Sequence, residues 1–250
     1  MVQTKQINER SVSMHSKSIV YLIPSVISET AVETIPAYIS ESIKNCQVIF
    51  AENGRTARRF LKSIYEEIII DNYEWFTMHK AESGLVNLFK EKISEEKNIA
   101  IISEAGCPGI ADPGQLLVSV AQQMNVTVKP LVGPSSILLA LMASGLNGQQ
   151  FRFNGYLPIS VPGRHSSLKE LEEESAREKC TQIFIETPYR NNQLVESILK
   201  VCKLETRLCI AVDISSDRES IRTKSIREWR KEKIDINKKP AIFLLMAEVK

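Results

Sequence analysis

Residues 99–114 read IAIISEAGCPGIADPG, an apolar run followed by a segment rich in glycine and proline. The run Ile99–Ile102 predicts a short buried strand, and the glycines and prolines after Ser103 predict a loop at its carboxyl end. Glycine lets a ligand approach the main chain, and proline fixes the loop geometry before anything binds. Because ligands of open α/β sheets bind beyond the carboxyl ends of strands, this segment is a candidate binding loop.

A second stretch repeats this pattern. Residues 126–131 predict a strand, Val132–Ser136 predict a loop, and Ile137–Ala143 predict an apolar helix with Ser135 at its N-cap. The free main-chain N–H groups of such a helix can hold a polar or anionic group. Either loop alone would suit an ordinary strand-to-helix turn, but two such loops after neighbouring strands favour a shared pocket.

The composition is that of an ordinary globular protein. The chain has 250 residues, 43% hydrophobic and 25% charged, which is enough for two modest domains. Residues 1–150 carry 13 basic and 15 acidic side chains, whereas residues 151–250 carry 19 and 15. The basic second half suits a polyanionic partner and equally a solvated surface. We expect no membrane span, because no apolar run is long enough, and we expect a loose tail at residues 1–17.

Cysteine and histidine spacing bears on the compartment and on metals. The five cysteines are odd in number and form no Cys-x-x-Cys pair, which fits a reducing cytoplasm. The three histidines, His15, His79 and His165, lie far apart and lack metal-ligand spacing, so we expect no metal site.

The order of elements predicts an α/β fold with two domains. Strands and helices alternate through the first half, which favours a mostly parallel sheet with helices on both faces. There, Thr34 is predicted to cap a helix with Pro36 in its first turn. A polar segment before Phe151 sets the expected domains at 18–150 and 151–250. The second half lacks a regular helix after each strand, which predicts a mixed sheet, and its first helix is expected at 166–177.

Four stretches together resemble the tetrapyrrole methylase family. They are ISEAGCPGIADPG at 102–114, PLVGPSSILLALMASGL at 130–146, FNGYLP at 153–158 and IFIETPYRN at 183–191. The similarity extends from about Ser18 to Glu248, nearly the whole chain. It implies a two-domain methyltransferase that binds S-adenosylmethionine in the cleft between its domains and forms a homodimer.

The resemblance also implies an acceptor. The chain is most similar to the branch of the family that methylates a ribose 2′-hydroxyl of small-subunit ribosomal RNA. Ribosomal RNA, or the small ribosomal subunit, is therefore the first expected partner. A corrin or porphyrin precursor is the alternative acceptor, because other family members methylate those rings.

The cofactor-binding residues come largely from the resemblance. Two of the implied segments are the candidate loops described above, and the others rest on the resemblance alone. The implied residues are Pro24, Ile27, Ser103, Glu104, Ala105, Gly106, Cys107, Gly133, Pro134, Ser135, Ser136, Glu186, Ala211, Pro240 and Ala241.

Three positions depart from the family pattern. Ser28-Glu29 stands where a Gly-Asn pair is usual, and Asn53-Gly54 replaces Asp-Thr between an acidic residue and an arginine. Lys238-Lys239-Pro240 replaces Lys-Gly-Glu. All three lie near the expected substrate side, so they leave open a different acceptor or a non-catalytic relative that retains the fold.

The catalytic candidates follow predicted strand ends. A hydroxyl acceptor has to lose a proton, which a carboxylate or a histidine within hydrogen-bond reach can accept. We predict Glu52, Arg55 and Asp112 as catalytic residues, with Arg55 holding an acidic or phosphate-bearing acceptor. His79 and Glu104 are further candidate bases.

Each candidate has a structural alternative. Asp112 would equally cap the helix that follows it, and Glu52 and Arg55 would form a surface ion pair. Lys80 is a second candidate for holding an anionic acceptor. The side chains of Tyr156 and Tyr189 either stack on a bound ring or complete the core.

Overall fold

The computed structural model describes residues 18–78 and 83–247. The strands are β1 (Ile19–Ile23), β2 (Val48–Ala51), β3 (Glu74–Thr77), β4 (Ile99–Ile102), β5 (Thr127–Pro130), β6 (Phe151–Tyr156), β7 (Thr181–Ile185), β8 (Arg207–Val212), β9 (Ser220–Ser225) and β10 (Ala241–Met246). The helices are α1 (Tyr38–Lys44), α2 (Gly54–Ile64), α3 (Ser83–Ser94), α4 (Gly114–Gln123), α5 (Ser136–Ser144), α6 (Val161–Glu178), α7 (Asn191–Val201) and α8 (Ile226–Trp229). The predicted tail 1–17 and the candidates His79 and Lys80 lie outside the described residues.

Strands β1–β5 form a parallel sheet in the order β3-β2-β4-β1-β5. All residues of β4, Ile99–Ile102, are buried. Ala100 and Ile102 pack with α1 and α2 on one face, and Ile99 and Ile101 pack with α3 and α4 on the other. Burial on both faces explains why this strand is a continuous apolar run rather than an alternating one.

Strands β6–β10 form a second, mixed sheet in the order β6-β7-β10-β8-β9. β6 is parallel to β7, whereas β10 lies antiparallel between β7 and β8, and β9 is antiparallel to β8. Phe184, Ile210 and Phe243 lie on the face that packs against α6 and α7. The predicted fold class, a parallel first sheet covered by helices and a mixed second sheet, is confirmed.

Helix α5 joins the two sheets. Although it follows the last strand of the first sheet, its Ala140 and Leu141 pack on the second sheet, on the face opposite α6 and α7. The carboxyl end of α5 lies where β8 begins, because the Arg207 guanidinium donates to the Gly145 carbonyl at 3.0 Å. Ile137, in the first turn of α5, packs on the cluster that contains Ala211 of β8.

The start of the first helix differs from the prediction. The proposal that Thr34 caps this helix is wrong, because α1 begins at Tyr38 and the Thr34 hydroxyl instead donates to Ala31 O at 2.7 Å. Proline disfavours the helical conformation in the residue before it. Ile35, which precedes Pro36, is accordingly extended with φ −94° and ψ 118°.

The start of α6 also differs. This helix begins at Val161 rather than at the predicted residue 166. Pro162 lies in its first turn, where a missing N–H is tolerated, so proline here starts the helix instead of delaying it.

We propose a domain boundary near residue 150, since strands β1–β5 precede it and β6–β10 follow it. Among the helices of the described residues, none is both long enough and apolar enough to cross a membrane.

Candidate functional site

Two loops of the first sheet are bonded to each other through their main chains. The N–H of Ser25, after β1, donates to Gly106 O at 2.9 Å, and the N–H of Gly106, after β4, donates to Ser25 O at 3.1 Å. The hydroxyls of Ser25 and Ser103 add bonds to main-chain carbonyls within the same pair of loops. Gly106 has a φ of +74°, which favours glycine. These loops are therefore fixed without any ligand.

The loop after β5 packs against both of them. A Cβ on Gly133 would lie 2.2 Å from Pro24 Cβ, so the proline ring fills the space that a side chain would need. The Cys107 thiol donates to Pro134 O at 3.4 Å. The missing side chain of Gly133 is thus required by the Pro24 ring. The predicted role of Gly133 toward the cofactor rests on its main chain.

The amino end of α5 follows this loop. Ser135 is at the N-cap, as predicted, with φ −135° and ψ 119°, but its side chain makes no capping hydrogen bond. The predicted N-cap position is therefore confirmed, and the first-turn N–H groups of the helix receive no hydrogen bond from the Ser135 side chain. Ser135 and Ser136 are both half-buried.

The residues of the second sheet that the family resemblance implies for cofactor binding lie at one edge of that sheet. Ile242 of β10 pairs with Ile185 of β7 and with Ala211 of β8. Glu186 directly follows Ile185, and Ala241 directly precedes Ile242, so these residues converge where β7 and β8 end and β10 begins. The Asp213 N–H donates to Pro240 O at 3.0 Å, which ties the end of β8 to the start of β10.

This edge carries a buried polar cluster. The Glu186 side chain is fully buried, and its Oε1 accepts from the Arg190 guanidinium at 2.6 Å and from Thr187 N–H at 2.7 Å. Burial alone would raise the pKa of the Glu186 carboxyl, but these donors outweigh it and the pKa is lowered. Glu186 is therefore a buried carboxylate.

Two acceptor atoms in the cluster have no hydrogen-bond donor among the described residues. Glu186 Oε2 and Asn191 Oδ1 are buried and have no hydrogen-bond partner in the described part of the chain. The Asn191 amide nitrogen donates to Lys239 O at 2.7 Å, which fixes the side chain. The donor Arg190 Nε is likewise buried without a partner among the described residues. Buried polar atoms are normally paired, so the cluster points to a ligand that both donates and accepts. Sequence reasoning missed Asn191; its signal was a polar side chain that opens an amphipathic helix directly after Arg190.

The loops and the edge face each other. Ile27, from the loop after β1, and Ile137, from the first turn of α5, pack on the cluster that contains Ala211 and Ile242. The implied cofactor residues of the two sheets are therefore brought into one region, with the loops after β1, β4 and β5 on one side and the edge of the second sheet on the other.

Carboxylates lie at the ends of β2 and β4, which are neighbours. Glu52 Oε2 accepts the Glu104 N–H at 2.8 Å, and the Asn53 amide donates to Glu104 Oε1 at 3.1 Å. Burial raises the pKa of the Glu52 carboxyl, with further contributions from the charges of Asp112 and Glu104. A carboxyl with a raised pKa is a better proton acceptor.

Asp112 ties its own loop together. Its Oδ1 accepts from the N–H groups of Gly109 and Gly114, both at 2.8 Å, and Gly114 is the first residue of α4. Asp112 thus accepts from the first N–H of α4, although the N-cap residue of this helix is Pro113 and not Asp112. Oδ2 is buried and has no partner among the described residues, and burial raises the pKa of the carboxyl.

Asn53, which departs from the family pattern just before α2, has a clear structural role. The Asn53 side chain caps this helix by accepting from the N–H groups of Arg55 and Thr56. The Arg55 side chain is exposed, and no ion pair with Glu52 forms.

A cavity of about 270 Å³ lies beside the amino half of α2. The Arg59 guanidinium at its rim pairs with Glu29, which also differs from the family pattern. Its remaining lining includes Ser25, Val26, Ile27, Thr56, Glu104 and Ala105. The cavity thus adjoins the same loops as the candidate site, with Glu104 shared between them.

Two tyrosines weighed as core residues lie on the surface. Tyr156 is 59% exposed and Tyr189 is 73% exposed, so the core alternative is wrong. Tyr189 follows Pro188, whose carbonyl accepts from Lys238 N–H at 2.9 Å, which places it at the second-sheet edge.

The comparisons agree with this arrangement. The family model described as Tetrapyrrole (Corrin/Porphyrin) Methylases matches residues 34–229. A protein named Ribosomal RNA small subunit methyltransferase I from Buchnera aphidicola subsp. Schizaphis graminum is 29% identical over 237 residues, covering 94% of this chain and 80% of its own length. The protein of the same name from Escherichia coli O157:H7 is 28% identical over 246 residues, covering 94% and 79%.

A solved structure shares the fold. The crystal structure of the methyltransferase CobJ aligns with a TM-score of 0.59 at 13% identity, covering 92% of this chain and 93% of that chain. The family match spans well over half of the sequence, and both sheets have their counterparts in a solved methyltransferase. The chain therefore belongs to the tetrapyrrole methylase family and is a methyltransferase.

Proposed function

We propose that the chain binds S-adenosylmethionine between the loops after β1, β4 and β5 and the second-sheet edge at Glu186, Ala211, Pro240 and Ala241. Support for the proposal comes from Ile27 and Ile137, which pack on the cluster that contains Ala211 and Ile242, and from the unpaired buried atoms of Glu186 and Asn191 at that edge. The cofactor bears two amino groups, one on adenine and one on its methionine part, so its chemistry fits acceptors that lack donors.

The loops supply the rest of the proposed contacts. Their main chains are fixed by their own hydrogen bonds, so little conformational entropy is lost on binding. When bound, the cofactor supplies an electrophilic methyl group on a positively charged sulfonium, and its leaving group departs neutral. The task of the protein is then largely to align the acceptor oxygen, which is catalysis by positioning.

We assign the catalytic roles to Glu52, Arg55 and Asp112. Glu52 accepts the proton of the acceptor hydroxyl, and burial, which raises its pKa, makes it suited to this. The exposed Arg55 holds a phosphate of the acceptor. Asp112 adds negative charge near Glu52 through an oxygen that its loop bonds do not use.

The proposed acceptor is a ribose 2′-hydroxyl of small-subunit ribosomal RNA. Support for small-subunit ribosomal RNA comes from the names of the two relatives, which align with 94% of the chain. The ribose 2′-hydroxyl is what the family resemblance implies. The structural neighbour shares only 13% identity and supports the fold, not a corrin acceptor. The cavity beside α2, with Arg59 at its rim, is the proposed entry of the target nucleotide.

Calorimetry with S-adenosylhomocysteine tests the cofactor site. Glu186→Gln removes the buried charge, and we expect affinity to fall by about tenfold or more, since hydrogen bonds to charged groups contribute about 1.5–3 kcal/mol. Glu205→Gln is the matched control, because Glu205 pairs with Arg227 on the surface. Equal affinity in both variants, or no binding by the native chain at millimolar ligand, would remove the proposed site.

Methyl transfer tests the acceptor. Small ribosomal subunits from a strain that lacks the protein are incubated with labelled S-adenosylmethionine and the native chain. We expect stoichiometric labelling of one ribose, located by nuclease digestion. Labelling of a corrin or porphyrin precursor instead would identify the alternative acceptor, and no labelling of either would support a non-catalytic relative.

We also propose a homodimer that works in the cytoplasm, where ribosomal subunits are assembled. Helix α5 supports the dimer, because Leu138 and Met142 lie one turn apart on its outer face and are 50% and 79% exposed. Analytical ultracentrifugation of the full chain tests it: a dimer mass supports it, and a monomer at micromolar concentration contradicts it.

A further inference from the structure

A second cavity, of about 220 Å³, lies on the second sheet, on the face opposite α5. It opens between β8, the start of β9 and the segment 233–239. Its floor is apolar and includes Ile210, Val212 and Trp229, which belong to the core cluster on that face. Its rim carries four cations, Arg218, Arg222, Lys233 and Lys239.

The cations outnumber the acids. The acidic residue in the lining is Asp235, and its carboxylate already accepts from the Asn192 amide at 3.0 Å and from the Asn237 N–H at 3.2 Å. Within the described chain, Arg218, Lys233 and Lys239 form no ion pair, although the charges of Lys239 and Lys233 help to lower the pKa of the Asp235 carboxyl. An exposed group of four cations suits a polyanion when its two nearest acids, Asp235 and Glu232, already accept hydrogen bonds.

One cation of the rim is held in place. The Arg222 guanidinium pairs with Glu232 at 2.6 Å and lies 5.0 Å from the centre of the Trp229 ring. The Trp229 indole is 3% exposed and donates to Leu208 O at 2.8 Å, so the ring cannot stack on a base. These features favour phosphate groups over a whole nucleoside.

The cavity lies at the edge of the sheet that carries the proposed cofactor site. Arg218 is in the loop that follows β8, and Lys239 directly precedes Pro240. The Lys239 carbonyl accepts from Asn191, so the same segment contacts the polar cluster at that edge. The exposed Tyr189 lies at this edge as well, beside Lys238. A strand that leaves the cofactor site over this edge would reach the cations.

We propose that this cavity binds backbone phosphates of the acceptor RNA strand next to the methylated nucleotide. The inference rests on the proposed RNA acceptor. It assigns to Arg218, Lys233 and Lys239 a part in substrate binding that neither the catalytic nor the cofactor-binding residues supply.

The test compares binding of small ribosomal subunits, prepared from a strain lacking the protein, at several salt concentrations. The double variant Arg218→Ala/Lys233→Ala is expected to weaken binding at least tenfold at low salt. It should reduce the slope of log affinity against log salt by about 1.4–1.8, since each RNA or DNA phosphate contact contributes about 0.7–0.9. The control, Lys169→Ala/Arg177→Ala, removes the same charge from α6 and is expected to keep the native slope. Affinity for S-adenosylhomocysteine is expected to be unchanged in both.

The outcomes separate the inference from the proposed function. If the native chain binds subunits and the two double variants have the same slope, the inference is wrong and the acceptor stands. If the native chain does not bind subunits, both are wrong. Inorganic tripolyphosphate serves as a second probe: binding that only Arg218→Ala/Lys233→Ala abolishes, with subunit binding unaffected, would make this a free-polyphosphate site and overturn the RNA assignment.

Discussion

Ser25 and Gly106, from loops after adjacent strands, exchange main-chain hydrogen bonds of 2.9 and 3.1 Å. The pair forms an isolated antiparallel bridge beyond the ends of the parallel strands β1 and β4. Pro24 then packs against Gly133 of the third loop. One side of the proposed cofactor site is therefore set by the fold, and the consequences can be measured.

Gly133→Ala is expected to destabilise the protein. The added Cβ would lie 2.2 and 2.3 Å from Pro24 Cβ and Cγ, so one loop has to move. Overpacking of this kind costs about 1–3 kcal/mol. Urea denaturation measures it, and the variant should also bind S-adenosylhomocysteine more weakly. Gly148→Ala is the control, because nothing lies within 4 Å of its added Cβ. Equal stability of the two variants would show that the contact with Pro24 is unimportant.

Two substitutions at Asp112 separate its structural role from its proposed catalytic role. Asp112→Ala leaves the N–H groups of Gly109 and Gly114 unpaired, which is expected to lower stability by about 1–3 kcal/mol. Asp112→Asn keeps an oxygen for both and should recover most of that loss, measured by thermal denaturation. Methyl transfer by Asp112→Asn should nevertheless fall, because the charge is gone. Full activity in this variant would remove Asp112 from the catalytic residues.

The pH dependence of methyl transfer is expected to report Glu52. The carboxylate is the form that accepts a proton, and burial raises the pKa of this group above its usual range. The rate should therefore be constant above that pKa and should fall as the pH drops through it. Glu52→Gln should lose about 10²-fold or more in rate together with the acidic limb. Glu29→Gln, at the rim of the same region, should keep the limb. An acidic limb that persists in Glu52→Gln would exclude this role.

Much of the fold follows from local patterns. The apolar run Ile99–Ile102 and the loop after it predict a buried strand with a site at its end, and that strand lies at the centre of its sheet. The absence of a helix after each strand in the second half predicts the mixed sheet. In both cases the deciding physics is burial, which a sequence shows directly through the spacing of apolar side chains.

The parts that failed depend on contacts between distant segments. The reason for Gly133 is the ring of Pro24, more than a hundred positions away in the chain. Asn191 becomes a site residue only because Lys239 fixes it and its own Oδ1 is buried without a partner. The exposure of Tyr189 depends on how its loop meets the segment at Lys238. The contacts of Gly133 and Tyr189 leave no local pattern, and for Asn191 the local pattern shows only a polar side chain at the start of a helix.

A crystal structure of the full chain with S-adenosylhomocysteine tests the central claim most directly. We expect the ligand between the loop at Ser103–Gly106 and the edge at Glu186 and Ala241, with an amino group within hydrogen-bond distance of Glu186 Oε2 or Asn191 Oδ1. A ligand bound elsewhere, with these two oxygens still unpaired, would contradict the account.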